Sequence, residues 1–250
     1  MNQRPLRRTL IRLMSIASNL ERLQNDIADI CARAHRPTAS VALMAVSKIH
    51  PAEAVLEAYQ AGQRLFGENR VQEWQTKRLA LADLVPPSPG IQIHLIGPLQ
   101  NNKTSKAAEI FDAVDTIDSP KTAERLNAAA HTLGKKLRVL LEVKLSPEDT
   151  KHGLAPADLP TLLAALLPLV HLEVRGLMTV PPFDQDPETA RPYFQHLRRL
   201  RDENIEMYPT LTELSMGMSN DFAVAIEEGS TTVRLGTAIF GKRIYEPAQP

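Results

Sequence analysis

The strongest constraint on the fold of this chain is a rhythm. Eight short apolar runs rich in β-branched residues lie at 41–46, 64–66, 91–96, 111–116, 137–143, 172–177, 210–214 and 231–235. Seven segments of helical periodicity separate them, at 51–61, 69–81, 103–110, 120–133, 156–167, 187–206 and 220–228. Runs this short, bounded by turn residues, are the pattern of buried strands, and a 3.6-residue period marks helices packed on one face. Four helical segments open with proline (Pro51, Pro120, Pro156, Pro187), which suits a first turn that needs no amide donor. Such alternation calls for parallel strands, and eight repeats give the count of an α/β protein built as a single (β/α)8 TIM barrel. A doubly wound open sheet shares the alternation, because periodicity does not show closure. The eightfold count favours the barrel.

Ahead of the barrel, Leu10, Leu13, Met14, Ala17, Leu20, Leu23, Ile27 and Ile30 recur at helical spacing. They predict an extra N-terminal helix within residues 1–36, packed on a barrel of residues 37–250, the whole forming one domain. Arg4, Arg7, Arg8 and Arg12 raise the alternative of a membrane-surface helix, but Glu21, Asp26 and Asp29 on its later turns oppose it. Arg12 also interrupts the apolar stretch that a secretory signal needs. The most apolar run, 161–170, is about half the roughly 20 residues of a spanning helix and contains Pro168. No membrane association is expected.

Composition narrows the classes further. Lys and Arg number 29 against 29 Asp and Glu, so the net charge is zero and no basic footprint for nucleic acid exists. The single cysteine, Cys31, precludes an internal disulfide and points to a reducing, cytoplasmic setting. The seven histidines show no paired ligand spacing, so no metal site is expected.

In a barrel, chemistry gathers where strands run out at the C-terminal face. The unusual residues of this chain fall there. Lys48 directly follows an apolar strand, where it is either a snorkelling surface residue or an amine nucleophile able to form a Schiff base with a carbonyl compound. The turn from Ser215 through Gly217 to Ser219 precedes a helical segment for which Ser219 or Asn220 is the expected N-cap. Gly236-Thr237 follows the last strand. Amide-rich turns after strands seven and eight are where barrels hold a phosphate. Arg234 reads either as a buried arginine paired to a carboxylate or as a donor to a ring nitrogen of an aromatic cofactor. His94, expected inside the barrel beside Gln92, reads first as a hydrogen-bonded core residue and second as a ligand contact. Residues 236–243 approach the nucleotide P-loop pattern, but Arg243 replaces the required hydroxyl and no helix follows. Lysine, phosphate turns and ring partner together describe pyridoxal 5′-phosphate (PLP).

Six segments carry a family resemblance: Ala45-Val46-Ser47-Lys48, Phe66-Gly67-Glu68-Asn69, residues 94–100, Gly176-Leu177-Met178, residues 214–219 and residues 233–241. In this order they resemble the pyridoxal phosphate homeostasis protein family, whose barrel is like the N-terminal domain of alanine racemase. The resemblance implies PLP held on Lys48 as a Schiff base, and phosphate contacts from the Ser215–Ser219 turn and from Gly236 and Thr237. It further implies Arg234 near the pyridine nitrogen, and Asn69 and Met178 lining the pocket. Two positions depart from the family pattern. Glu142-Val143-Lys144 stands where many members have Gln-Val-Asn, and Arg70 stands where others often carry tyrosine.

The implied role is a carrier or regulator in vitamin B6 homeostasis, with PLP-dependent apo-enzymes as possible partners and without catalytic turnover. The alternative is a PLP-dependent amino-acid racemase. A racemase needs acid and base groups on both faces of the substrate carbon, and in two-domain racemases one is a tyrosine from a C-terminal β domain. Here nine residues follow Gly241, and Tyr59, Tyr193, Tyr208 and Tyr245 fall in helical segments, beyond them or in the tail. A monomer is expected, because racemase dimers rely on that β domain. A purely structural module ranks last, since it leaves the strand-end motifs without a reason.

Overall fold

A computed structural model describes residues 15–86, 90–146 and 152–241. Eight parallel strands, β1 (Ala42–Val46), β2 (Leu65–Glu68), β3 (Gln92–Leu95), β4 (Ala113–Ile117), β5 (Leu137–Glu142), β6 (Leu172–Met178), β7 (Glu213–Ser215) and β8 (Thr232–Leu235), pair in chain order and close on themselves. Closure comes from β1 against β8, with Ala42 opposite Thr232 and Ala45 opposite Leu235. The open-sheet alternative is thereby excluded.

Helices α2 (Ala52–Gln60), α3 (Val71–Leu81), α4 (Thr104–Ile110), α5 (Pro120–Thr132), α6 (Leu159–Leu166), α7 (Arg191–Asn204) and α8 (Phe222–Glu227) fill the expected gaps. The segments starting at Pro156 and Pro187 open with single 3₁₀ turns before α6 and α7. Some short elements have no counterpart in the apolar pattern, among them the 3₁₀ turn Thr38–Ser40. A single helical turn, Thr237–Phe240, follows β8 directly and is too short to show a period.

The N-terminal helix runs from Ile16 to Arg33, with the Ser15 hydroxyl accepting from the Ser18 amide at its start. Leu10, Leu13 and Met14, the N-terminal arginines, Pro87–Pro89 and the stretch from Lys242 onward lie outside the described residues. Leu20, Leu23, Ile27, Ile30 and Cys31 turn one stripe of this helix, α1, into the common core. It lies over α2, α8 and the turn after β8. Asn19 Nδ2 donates to the Ile239 carbonyl of that turn at 2.9 Å. Among the described residues, no helix is long and apolar enough to cross a membrane.

Successive side chains of a strand face opposite ways, and here the two sides differ in chemistry. Ala45, Phe66, Leu95, Val114, Leu141, Leu177, Leu214, Val233 and Leu235 point outward into one apolar core beneath the helices. The residues of opposite parity, Met44, Gly67, His94, Asp115, Glu142, Met178, Ser215 and Arg234, point inward. A Cβ added at Gly67 would meet Met44 Sδ at 2.8 Å and Ile96 Cδ1 at 2.9 Å, which confirms the inward side. Outside is oil, and the upper interior is polar.

Candidate functional site

Lys48 lies in the turn two residues past the end of β1 and is half-buried. Its turn is backbone-strained: Ile49 adopts φ = 65°, a left-handed conformation that β-branched residues resist. The Ile49 amide donates to Glu73 Oε1 in α3. On the other side of the lysine, the Ser47 hydroxyl donates to Glu68 Oε1 at 2.7 Å. Lys48 itself has an interaction partner in the structure.

Arg234, on the inner side of β8, is 5% exposed. Nη1 donates to Ser215 Oγ and Nη2 to the Thr179 carbonyl, both at 2.8 Å. The pairing with a carboxylate that the sequence suggested is replaced by neutral acceptors, with carboxylates one layer further off. Burial pulls the guanidinium down from its ordinary value, and the charges of Asp115, Glu142 and Asp221 oppose that pull. Ser215 is thereby taken up by Arg234 as the last residue of β7, one step before the turn in which the resemblance placed it.

His94 is buried, with Nδ1 3.1 Å from Asp115 Oδ1. Burial alone would lower the imidazole, but the charge and hydrogen bond of Asp115 raise it on balance. This placement agrees with a hydrogen-bonded histidine, with a buried carboxylate as partner. Gln92, expected beside it, is exposed instead. Asp115 drew no attention in the sequence, although an aspartate between Val114 and Thr116 in an otherwise buried strand is a signal against strand preference.

Two turns close the other side of the mouth. Gly217 has φ = 95°, and an added Cβ would lie 2.5 Å from Ala225 Cβ, so both conformation and space require glycine. The expected caps of α8 are not Ser219 or Asn220. Asp221 is the N-cap, but its carboxylate turns back to accept from the Met218 amide at 2.5 Å. Ser219 Oγ accepts from the Ala238 amide at 3.4 Å and ties this turn to the one after β8; Asn220 Nδ2 reaches the Asp184 carbonyl. Among the described residues, the Ser219, Asn220 and Thr237 amides find no acceptor, so both turns keep donors available for a ligand. Gly236 lies against the top of β1, its Cβ position 3.2 Å from the Val46 carbonyl.

The remaining candidates complete the ring. Asn69, half-buried after β2, packs its backbone so closely on Gly97 that no Cβ fits there. Met178 is buried at the end of β6, level with Glu142 on β5 and Ser215 on β7. Burial pushes the Glu142 carboxyl up to about 7, with Arg234 pulling it down and Asp118 pushing it further up. Glu142 and Lys144 line a cavity of about 190 Å³ with Ser146, His152 and Val180. Arg70 and Lys103 line a larger one of about 570 Å³, with Asn69, Gln72 and Gln100. Both departures from the family pattern therefore line cavities. Among the described residues, no cluster of His, Cys, Asp and Glu is arranged to hold a metal ion.

Comparison with known proteins bears on this geometry. The sequence pattern of the alanine racemase N-terminal domain matches residues 18–244. The pyridoxal phosphate homeostasis protein of Vibrio alginolyticus is 44% identical over 233 residues, covering 93% of this chain and all of the relative. Among solved structures, PipY of Synechococcus elongatus PCC7942 with PLP bound is 43% identical, with a TM-score of 0.80 over 91% of this chain and all of PipY. Alanine racemase of Clostridium difficile 630 shares the fold alone, at 15% identity and a TM-score of 0.69, over 91% of this chain and 58% of the racemase.

Proposed function

The chain belongs to the pyridoxal phosphate homeostasis protein family, and from that premise we propose that it holds PLP on Lys48 and takes part in intracellular vitamin B6 homeostasis as a carrier or regulator. One observation carries the reading. A half-buried lysine, a buried arginine and two turns with free amides converge on a single barrel mouth, at the tops of β1, β8 and β7.

The residues fit the group. The Lys48 amine supplies the nucleophile, which condenses with the aldehyde and releases water. The donors of the turns around Gly217–Ser219 and Gly236–Thr237 suit a phosphate dianion. Arg234, held rigidly by Ser215 and Thr179, presents a permanent cation to the ring nitrogen and so keeps that nitrogen unprotonated. A cofactor whose ring nitrogen stays neutral is a weaker electron sink, which favours holding over turnover. We assign Asn69, Met178 and His94 to the lining of the same pocket, as the resemblance implies for Asn69 and Met178.

The tyrosines support a carrier over a racemase. Among the described residues, Tyr59 sits in α2, Tyr193 in α7 and Tyr208 beyond the end of α7, all in the helical layer. We read the chain as one domain acting as a monomer in the cytoplasm, passing PLP to apo-enzymes. Buried Cys31, whose thiol burial pushes up, is consistent with a reducing setting.

Purified protein mixed with PLP should develop a visible Schiff-base band that Lys48→Ala lacks. An apo-enzyme should then receive PLP from the protein faster than free dissociation allows. Sustained racemisation of single-enantiomer amino acids at ordinary enzymatic rates would overturn the carrier reading.

A further inference from the structure

Behind the strained Lys48 turn lies a charged cluster that the cofactor reading does not use. Lys77 sits in the middle of α3 and is 7% exposed. An ammonium has three protons to donate, and all three are engaged: by the Ser47 carbonyl at 2.8 Å, by Glu68 Oε1 at 2.7 Å and by Glu73 Oε1 at 2.7 Å. The same Glu68 oxygen accepts from the Ser47 hydroxyl, and the same Glu73 oxygen accepts from the Ile49 amide. Both chain neighbours of Lys48 are thus tied to one buried ammonium, directly at Ser47 and through Glu73 at Ile49.

We propose that Lys77, bridged by Glu68 and Glu73, is a positioning residue that fixes the Lys48 turn in the geometry needed to capture and retain the aldehyde; this rests on the assignment of Lys48 as the PLP-binding amine.

Stability alone is a poor reason for the cluster. Buried ion pairs seldom outperform apolar packing of the same volume, and this one is incompletely satisfied, since Glu68 Oε2 has no hydrogen-bond partner among the described residues. Burial pushes the Glu68 carboxyl up, and the Lys77 charge and hydrogen bond pull it back down. The contacts also converge on one turn rather than spreading through the helix–strand interface. That turn contains a β-branched residue at positive φ, a conformation that persists only where surrounding bonds over-determine it. Removing the ties lets Ile49 relax to an extended or right-handed conformation, which swings Lys48 away from Arg234 and the phosphate turns.

The test follows formation and loss of the visible band in the full chain, using PLP as the probe, with circular dichroism to establish folding. Lys77→Met and Glu73→Ala should both form the band at least tenfold more slowly and release PLP at least tenfold faster than the unmodified protein. Glu73→Gln, which keeps an acceptor for the Ile49 amide, should recover most of the rate. A general loss of stability would not produce that rescue. Glu73 lies nearer the surface than Lys77, so Glu73→Ala decides the question even if Lys77→Met does not fold. Folded Glu73→Ala with unaltered band kinetics overturns the proposal while leaving the Lys48 assignment intact. A band absent from the unmodified protein removes the assignment itself, and the proposal with it.

Discussion

At the scale of single residues, the mouth is governed by charges that burial makes costly. Arg234 is surrounded by polar groups arranged for a guanidinium, so Arg234→Ala would leave Ser215 and the Thr179 carbonyl without a donor, and Asp115, Glu142 and Asp221 without their cation. A loss of about 1–3 kcal/mol is expected, read as a lowered denaturation midpoint at neutral pH. Glu142 predicts a pH dependence with a definite sign. Its carboxyl is raised to about 7 in the fold, against about 4.3 in the unfolded chain. The folded state therefore binds the proton more tightly, so the associated stability is complete below about pH 4.3 and is lost as pH rises through about 7. Glu142→Gln removes this dependence. Its unfolding free energy should match that of the unmodified protein near pH 4 and exceed it at pH 8, by on the order of 3–4 kcal/mol. Equal unfolding free energies at both pH values would contradict the assignment. Arg234 was visible in the sequence as a charge ending an apolar strand, but Asp115 and the Glu68–Lys77–Glu73 cluster were not. Their significance lies in contacts between different strands and helices, which a linear pattern does not encode.

At the scale of elements, the strands and helices were legible because burial imposes a period on them, and all eight strands fall where the apolar runs lie. The exceptions are instructive. The helical turn Thr237–Phe240 is shorter than its own period. α8 starts later than its cap residues suggest, because the Ser219 hydroxyl, a good cap by type, accepts from the Ala238 amide instead. Asp221 caps by position while its carboxylate serves Met218. These small inversions shape both amide-bearing turns. Gly217→Ala should therefore cost more than an ordinary surface glycine replacement, because it adds strain at φ = 95° to a collision with Ala225. A drop in PLP affinity of tenfold or more, measured by titration of the visible band, is expected from it. The α1 contact makes a milder prediction. Asn19→Ala removes the hydrogen bond to Ile239, with a loss of about 1 kcal/mol and faster amide exchange across 237–240.

At the scale of the whole molecule, the barrel separates two jobs by the parity of its strands. Outward residues and the helices make the apolar core, so most of the apolar burial that stabilises the fold lies outside the upper interior. That leaves the inner face free to collect His94, Asp115, Glu142, Ser215 and Arg234 around one opening. The helix α1 contributes to both, burying Leu20, Leu23 and Ile27 while bracing the turn after β8. Leu23→Ala should destabilise by about 2–4 kcal/mol in chemical denaturation without altering the position of the visible band. In the proposed function a single amine, Lys48, captures the aldehyde. Borohydride reduction of the PLP-loaded protein, followed by peptide mapping by mass spectrometry, fixes that bond in place and locates it. A phosphopyridoxyl group on the peptide containing Lys48 is expected at close to one per chain. Stoichiometric label on another lysine, with Lys48 unmodified, would contradict it.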